Sequence, residues 1–560
     1  MSVIITRHMA TIRGERQVHY RRAGSGPPVV LLHQSPNSSQ EYIPLITELA
    51  ENYTIFAPDT PANGLSDSLS IDNPVMTDFA QNVADLMDVL GIERCPVYGF
   101  HTGAVCTLEL AWRHPHKVTI AVVNGYVNMG EELTEEILDN YFVPLKYDWS
   151  GSHLTWTWAR FREQVIFFPW YRKDAASRME YSVPPAAGLQ VAVIEFLRSG
   201  PDYVKPYRAA FTQDAINSVK EMKAKCIIMS PSTDVLVEGL DRMPTPSESV
   251  TVHRPDTSDD AIEILKQAIK DNPSPDPAPE LIKTSPIPGK LWGEYIQVAG
   301  GSLYCRRNND VGGRPIVFIH ASASSSLSMD TYMEPLIGKR PVISVDLPGN
   351  GESENPMGLD VTVEQQAAYL AEALHILGYE EVDVFGTWGG GTVAVELAVQ
   401  HPEMVQHIAV PNIMIMELKG KDLQDLSAKY TPDIKLDDYG GHWIFAWNMV
   451  RDQQLFNPWY QRKVENIIRS GEPDISPEVV HRRTLDLFKC HEIYQAAYKA
   501  HFGYPMSERL SRIKCPLLLG DPDSEPTKKA VVAGPTDYTL KEMPSDHSGM
   551  AEVALDFFNS

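Results

Sequence analysis

His101 stands in Val97-Tyr98-Gly99-Phe100-His101-Thr102-Gly103, an apolar strand-like run that turns between two glycines and continues as an apolar helix to His114-Pro115. Glycine-flanked turns let a strained residue project above the strand end, and an imidazole placed there can exchange a proton near neutral pH. Adding 287 gives a second copy, Val384-Phe385-Gly386-Thr387-Trp388-Gly389-Gly390, running on to His401-Pro402. An indole cannot attack a carbonyl, but Trp388 can wall or fill a pocket. Neither turn carries Ser, Cys or Asp. A second repeated pattern sets His153, Trp158 and Arg162 against His442, Trp447 and Arg451. A spacing of four puts each Trp with its Arg on one helix face, where they can stack on and fork to an anionic, carbonyl-bearing molecule. The same face serves plain packing, with Arg paired to an acid. His153 and His442, near the helix starts, are candidate acids or bases.

The elements that must position these groups also come in pairs. Leu31-Leu32-His33 matches Phe318-Ile319-His320, and Asp59-Thr60-Pro61-Ala62-Asn63-Gly64-Leu65-Ser66 matches Asp346-Leu347-Pro348-Gly349-Asn350-Gly351-Glu352-Ser353, at the same offset. Later the offset becomes 289, as in Gly151-Ser152-His153 against Gly440-Gly441-His442. An offset sustained this far means internal duplication. The Pro-rich run Asp271-Asn272-Pro273-Ser274-Pro275-Asp276-Pro277-Ala278-Pro279, with Pro286 and Pro288 beyond it, favours extended geometry and reads as a linker. The expected division is residues 1–270, a linker 271–289, and residues 290–560. In each half, strand-like apolar runs alternate with helical patterns, as in an α/β parallel sheet covered on both faces. Val29 to Leu32 and Tyr53 to Ala57 read as strands. Phe79, Val83, Leu86, Met87 and Leu90 form a helical stripe ended by Gly91. Thr362-Val363-Glu364-Gln365 is a capping box.

Composition narrows the function classes. A formal net charge of −24 argues against nucleic acid or an anionic membrane as a partner. The six cysteines show no CxxC spacing, so neither a disulfide framework nor a zinc site is signalled. The N-terminal stretch has no apolar run of signal length, and no metal or cofactor is implied. The expectation is a reduced, cytoplasmic protein.

Together the histidine after the third strand, the Asp-x-x-x-x-Gly-x-Ser loops and the glycine-flanked turns resemble the α/β-hydrolase superfamily. The nearest resemblance is to its cap-bearing branch of haloalkane dehalogenases, epoxide hydrolases and carbon–carbon bond hydrolases. It implies two tandem α/β-hydrolase domains, each a mostly parallel sheet flanked by helices with an inserted helical cap (about 127–211 and 414–502). The turns correspond to the nucleophile elbow, and the family order is nucleophile, acid, histidine. On that order Asp523, after Leu517-Leu518-Leu519-Gly520, is an acid and His547, in Met543-Pro544-Ser545-Asp546-His547, its histidine. In the first half Asp234 is the acid, and Ser258 stands where the terminal histidine belongs. His101 is then either a relocated base paired with Asp234 or a drifted residue in a dead site. Backbone N–H groups of Thr102 and Gly389, and those after His33 and His320, would bind an oxyanion.

These readings lead to an enzyme acting on a small carbonyl-bearing molecule by His/Asp general base catalysis without a serine nucleophile. Ester, lactone or carbon–carbon hydrolysis and lyase or cyclase chemistry all remain open. The alternative is a degenerate hydrolase serving as a ligand-binding or scaffold protein. Fusion of a two-fold dimer would make the chain an intrachain pseudo-dimer.

Overall fold

The computed structural model describes residues 3–469, 472–534 and 537–560. Sixteen strands among them form two eight-stranded sheets. The first sheet contains β1 (Ile5–Ile12), β2 (Arg16–Ala23), β3 (Pro28–Leu32), β4 (Thr54–Pro58), β5 (Cys95–Phe100), β6 (Val118–Asn124), β7 (Cys226–Met229) and β8 (Val250–His253). Their order is β1-β2-β4-β3-β5-β6-β7-β8. β2 runs antiparallel to β1 and β4, and the rest pair in parallel. Every residue of β3 and β4 is buried, as expected of strands covered on both faces. The predicted stripe lies on the helix Met76–Leu90, with Phe79, Val83, Leu86, Met87 and Leu90 all in the core and Gly91 left-handed at its end.

The second sheet repeats the plan with β9 (Trp292–Val298), β10 (Gly301–Asn308), β11 (Ile316–Ile319), β12 (Val342–Val345), β13 (Val382–Gly386), β14 (Val405–Val410), β15 (Leu517–Leu519) and β16 (Tyr538–Leu540). Its order, read from β9, is β9-β10-β12-β11-β13-β14-β15-β16. Thr362 caps the helix Val363–Ile376 by the predicted box with Gln365. This is the α/β fold class expected from the alternation of patterns.

Chain packing separates two units. One comprises Met1–Lys146, His153–Ser285 and Asp438–Gly440, the other Tyr147–Ser152, Pro286–Asp437 and Gly441–Ser560. The Pro-rich segment has no regular structure between Asp271 and Trp292, yet most of it is strapped onto the first unit. Ser274 Oγ donates to Arg94 O at 2.7 Å, Arg22 Nη2 to Pro279 O at 2.7 Å, and Thr284 Oγ1 to Met9 O at 2.9 Å.

The insertions expected as caps are helical in both units. Between β6 and β7 lie Glu131–Asn140, Ser152–Ile166, Ala186–Ser199, Val204–Phe211 and Ala215–Lys220. Between β14 and β15 lie Gly420–Tyr430, Gly441–Asp452, Pro477–Lys489, Tyr494–Gly503 and Met506–Leu510. Ser470 and Gly471 of the second insertion lie outside the described residues.

Candidate active site

β5 occupies the middle of its sheet, so the turn at its C-terminal end faces the place where loops from neighbouring strands converge. His101 takes φ 48°, ψ −112° between β5 and the helix Thr102–Arg113. A non-glycine residue there is strained and is held by close backbone packing. A Cβ on Gly103 would stand 1.9 Å from Leu32 O, and one on Gly99 2.1 Å from Gly103 O. Both glycines are therefore obligatory for the turn.

The His101 ring lies along Phe100, with ring centres 4.0 Å apart, and reaches the loop after β7. There Nε2–H donates to Asp234 Oδ2 at 2.8 Å. Asp234 Oδ1 accepts the Leu236 N–H at 2.7 Å, which fixes the carboxylate. Burial raises the Asp234 pKa, but the imidazole charge, its hydrogen bond and the Leu236 amide outweigh burial and hold it below the ordinary carboxylate value. With Nε2 committed as donor, Nδ1 carries the lone pair. Among the described residues no protein group bonds Nδ1, and the His101 side chain keeps 26% exposure against 10% for Asp234. The pair thus presents an accessible basic nitrogen on a rigid turn.

Other features of this site were not read from the sequence. Gly125, at φ +99°, follows β6 beside the ring, and a Cβ there would stand 2.6 Å from His101 Cδ2. Its counterpart in the repeat is Asn412, so a position-by-position comparison of the halves carries the signal. Glu41 occupies a donor expected to serve an oxyanion: Oε1 accepts the Gln34 N–H at 2.9 Å and Oε2 the Gln34 Nε2 at 3.1 Å. Burial pushes the Glu41 carboxyl up, against His33 and its amide partners. Thr102 opens its helix, so its N–H has no partner within the helix.

In the second unit the same turn forms with Trp388 in place of a histidine. Trp388 takes φ 50°, ψ −117° and is 57% exposed, so its indole does not fill an interior pocket. The expected pairing of Asp523 with His547 is corrected by the structure: among the described residues no hydrogen bond joins them. His547 opens the helix His547–Phe558, stacks on Tyr332 at 4.1 Å, and its Nδ1 bonds Thr331 Oγ1 at 2.7 Å. Asp523 is exposed in the loop before the helix Glu525–Ala533. A helix-start histidine held by stacking on Tyr332 keeps that direction whatever the strand-end carboxylate does. Ser258, at the corresponding place in the first unit, likewise opens the helix Ser258–Asp271.

Beside Gly389 the second unit holds groups absent from the sequence reading. A Cβ on Gly389 would stand 2.8 Å from Ser322 Oγ and 3.2 Å from His501 Nε2. His501 is buried, which pushes its pKa down to about 4, helped by His320.

The remaining sequence candidates are mostly structural. His33 and His320 are fully buried, and each bonds backbone with both nitrogens. Nδ1 of each donates to the next carbonyl at 2.7 Å, while Nε2 accepts Thr60 N–H at 2.8 Å or Leu347 N–H at 2.9 Å. These rings brace two turns and offer no atom to a substrate. Trp158 and Trp447 are each 1% exposed, so of the two readings of the Trp–Arg face these indoles follow packing. The Trp158 Nε1–H donates to Asp438 O at 3.1 Å, and Arg162 lies 5.6 Å from the Tyr439 ring centre. Arg451 is half-buried. His153 is buried in its helix, and His442 is buried beside Asp437, whose Oδ2 accepts the His442 N–H at 2.9 Å. No helix among the described residues is long and apolar enough to cross a membrane.

Comparison with known proteins agrees with this architecture. A sequence model described as the alpha/beta hydrolase fold matches residues 27–179 and 314–448, one segment in each repeat. An uncharacterized hydrolase of Saccharomyces cerevisiae is 32% identical over 154 residues, covering 27% of this chain and 52% of the relative. The soluble epoxide hydrolase of Corynebacterium sp. strain C12 is 29% identical over 209 residues, covering 35% of this chain and 68% of the relative. The 2-hydroxy-6-oxo-2,4-heptadienoate hydrolase of Pseudomonas putida is 30% identical over 139 residues, covering 23% of this chain and 50% of the relative. The chain thus spans about half the length of the first and third of these. Among solved structures, the enol-lactonase from Burkholderia xenovorans LB400 matches with a TM-score of 0.38 at 17% identity, over 48% of this chain and 100% of that one. With matched segments in both repeats amounting to just over half of its 560 residues, the chain belongs to the α/β-hydrolase fold family, in tandem form.

Proposed function

We propose that the chain is an enzyme whose first unit hydrolyses a small carbonyl-bearing or epoxide-type substrate with His101 as general base. The observation that carries this is the 2.8 Å contact between His101 Nε2 and Asp234 Oδ2 on the strained turn. Strain is retained where the surrounding structure over-determines it, and an exposed Nδ1 opposite a buried carboxylate is the arrangement a base needs. In the proposed step Nδ1 takes a proton from water, and the hydroxide adds to the electrophilic carbon. The imidazolium then returns the proton to the departing oxygen or carbon. Asp234 keeps the tautomer and steadies the imidazolium without itself being protonated. No covalent enzyme intermediate forms. With the Gln34 amide taken by Glu41, the Thr102 N–H is the donor left for the oxyanion that hydroxide addition to a carbonyl creates. The names of the epoxide and carbon–carbon bond relatives support the substrate class only at that breadth.

The exposed Trp388 and the unjoined Asp523 and His547 favour a non-catalytic role for the second unit, in ligand binding or as scaffold. The test is turnover of p-nitrophenyl acetate, γ-butyrolactone and styrene oxide by the full chain. His101→Ala is expected to reduce turnover at least about a thousandfold and Asp234→Asn about a hundredfold or more, with folding intact. Unchanged turnover in His101→Ala would end the proposal. Stoichiometric labelling by a fluorophosphonate would contradict its non-serine character.

A further inference from the structure

Arg160 lies on the insertion helix Ser152–Ile166 of the first unit and is only 2% exposed. A buried guanidinium requires an opposite charge or a full set of hydrogen bonds. It has neither. Nη1 donates to Gln164 Oε1 at 2.9 Å, but Nε and Nη2 are buried with no hydrogen-bond partner, and no carboxylate among the described residues pairs with it. Around it stand five aromatic rings, those of Phe196, Phe161, Trp170, Tyr141 and Tyr203, with centres 5.2–5.7 Å from Cζ. Ring faces attract a cation, but they do not accept two parallel in-plane N–H bonds. Nε–H and Nη2–H form one edge of the guanidinium, the edge that meets both oxygens of a carboxylate.

The repeat supplies an internal comparison. The position 289 residues on is Met449, itself 2% exposed on the helix Gly441–Asp452. The same helix therefore closes its core around an uncharged side chain of similar length, and packing alone does not call for arginine.

We propose that Arg160 anchors the carboxylate of a small organic acid within the first insertion, the surrounding rings packing on its apolar or aromatic body. The surrounding rings move aside to admit the ligand, whose two oxygens accept from Nε–H and Nη2–H and supply the opposite charge absent among the described residues. This binding site goes beyond the activity assigned to His101, and its test does not depend on that reading.

The test is calorimetric titration of the full chain with benzoate, phenylacetate and acetate, against benzamide as a neutral match for benzoate. The expected result is saturable binding of at least one aromatic carboxylate, about one per chain, with benzamide at least tenfold weaker. Arg160→Met, the residue the repeat already accommodates, is expected to fold and to lose that binding at least tenfold. Arg160→Lys, which keeps charge but not the forked edge, is expected to fall between and serves if the Met variant does not fold. Binding unchanged in these variants, equal binding of benzamide, or no binding of any carboxylate would overturn the proposal. His101→Ala is expected to bind like the unmodified chain. If that variant also keeps turnover, the His101 reading fails while the binding result still decides Arg160.

Discussion

At His101 the unusual choice is a strained backbone carrying a side chain of only moderate size. The ring has room because position 125 lacks a Cβ. Gly125→Ala would introduce an atom 2.6 Å from His101 Cδ2 at a residue with φ +99°. It is expected to lower stability by about 1–3 kcal/mol and turnover further than the stability loss explains, read by chemical denaturation beside kinetics. Asp234 gives a second measurable consequence. Its folded carboxyl is held below the ordinary value, so its contribution to stability is present above about pH 4 and is lost as pH falls through the lower folded value. Asp234→Asn is expected to flatten that acid limb of the stability profile.

The duplicated elements show how one partner alters a shared loop. In the first unit the buried Asp59, at the start of the loop after β4, has His19 Nδ1 at 2.8 Å. Burial opposes its charge, but His19 outweighs it and Asp59 stays well below the ordinary value. In the second unit Asp346 holds the same place after β12, where it accepts Ser326 N–H at 2.5 Å and Glu352 N–H at 2.7 Å. The residue corresponding to His19 is Tyr304, whose carbonyl accepts the Asp346 N–H as that of His19 accepts Asp59 N–H. Without an imidazole partner, burial pushes Asp346 up to about 6, and Glu352 adds to the effect. A raised carboxyl stabilises the fold most below about pH 4, and that contribution disappears as pH rises through about 6. Asp346→Asn is expected to remove a pH-dependent difference on the order of 2 kcal/mol between those limits, measured by urea unfolding at pH 4 to 7. On the helix Val363–Ile376, Thr362→Ala removes a capping oxygen and is expected to cost about 1 kcal/mol at any pH in that range.

Across the whole molecule, duplication has kept two scaffolds and let their sites diverge. Each unit preserves the sheet order, the strained turn, the buried brace histidine and the helical insertion. The first has an imidazole joined to a carboxylate, whereas the second has an exposed indole and a histidine stacked on Tyr332. A single active centre per chain is therefore expected. His547→Ala should leave turnover within about twofold, and a slow tight inhibitor should titrate one site per 560 residues. Two titrated sites, or turnover lost in His547→Ala, would place chemistry in the second unit.

The sequence by itself determined the scaffold. Glycines 99 and 103 flank a turn between a strand-like run and a helical one, the apolar runs alternate with helical stripes, and the offset of 287 ties both halves to one plan. These signals are local or repeated, so they survive without coordinates. The identity of the residue on each turn was also legible, and so was the Asp234 partner proposed for His101, because family order fixes which strand end lies beside it. The rest depended on tertiary packing. Whether a strand-end carboxylate reaches a helix-start histidine is set by loop path and by stacking, as His547 on Tyr332 shows. Spacing put Trp158 and Arg162 on one helix face, but only the fold decided that the indole is sealed. It also decided that Arg160, two residues away, is buried with two guanidinium nitrogens unpartnered: burial and unmet hydrogen bonds belong to the packed chain, not to the order of its residues.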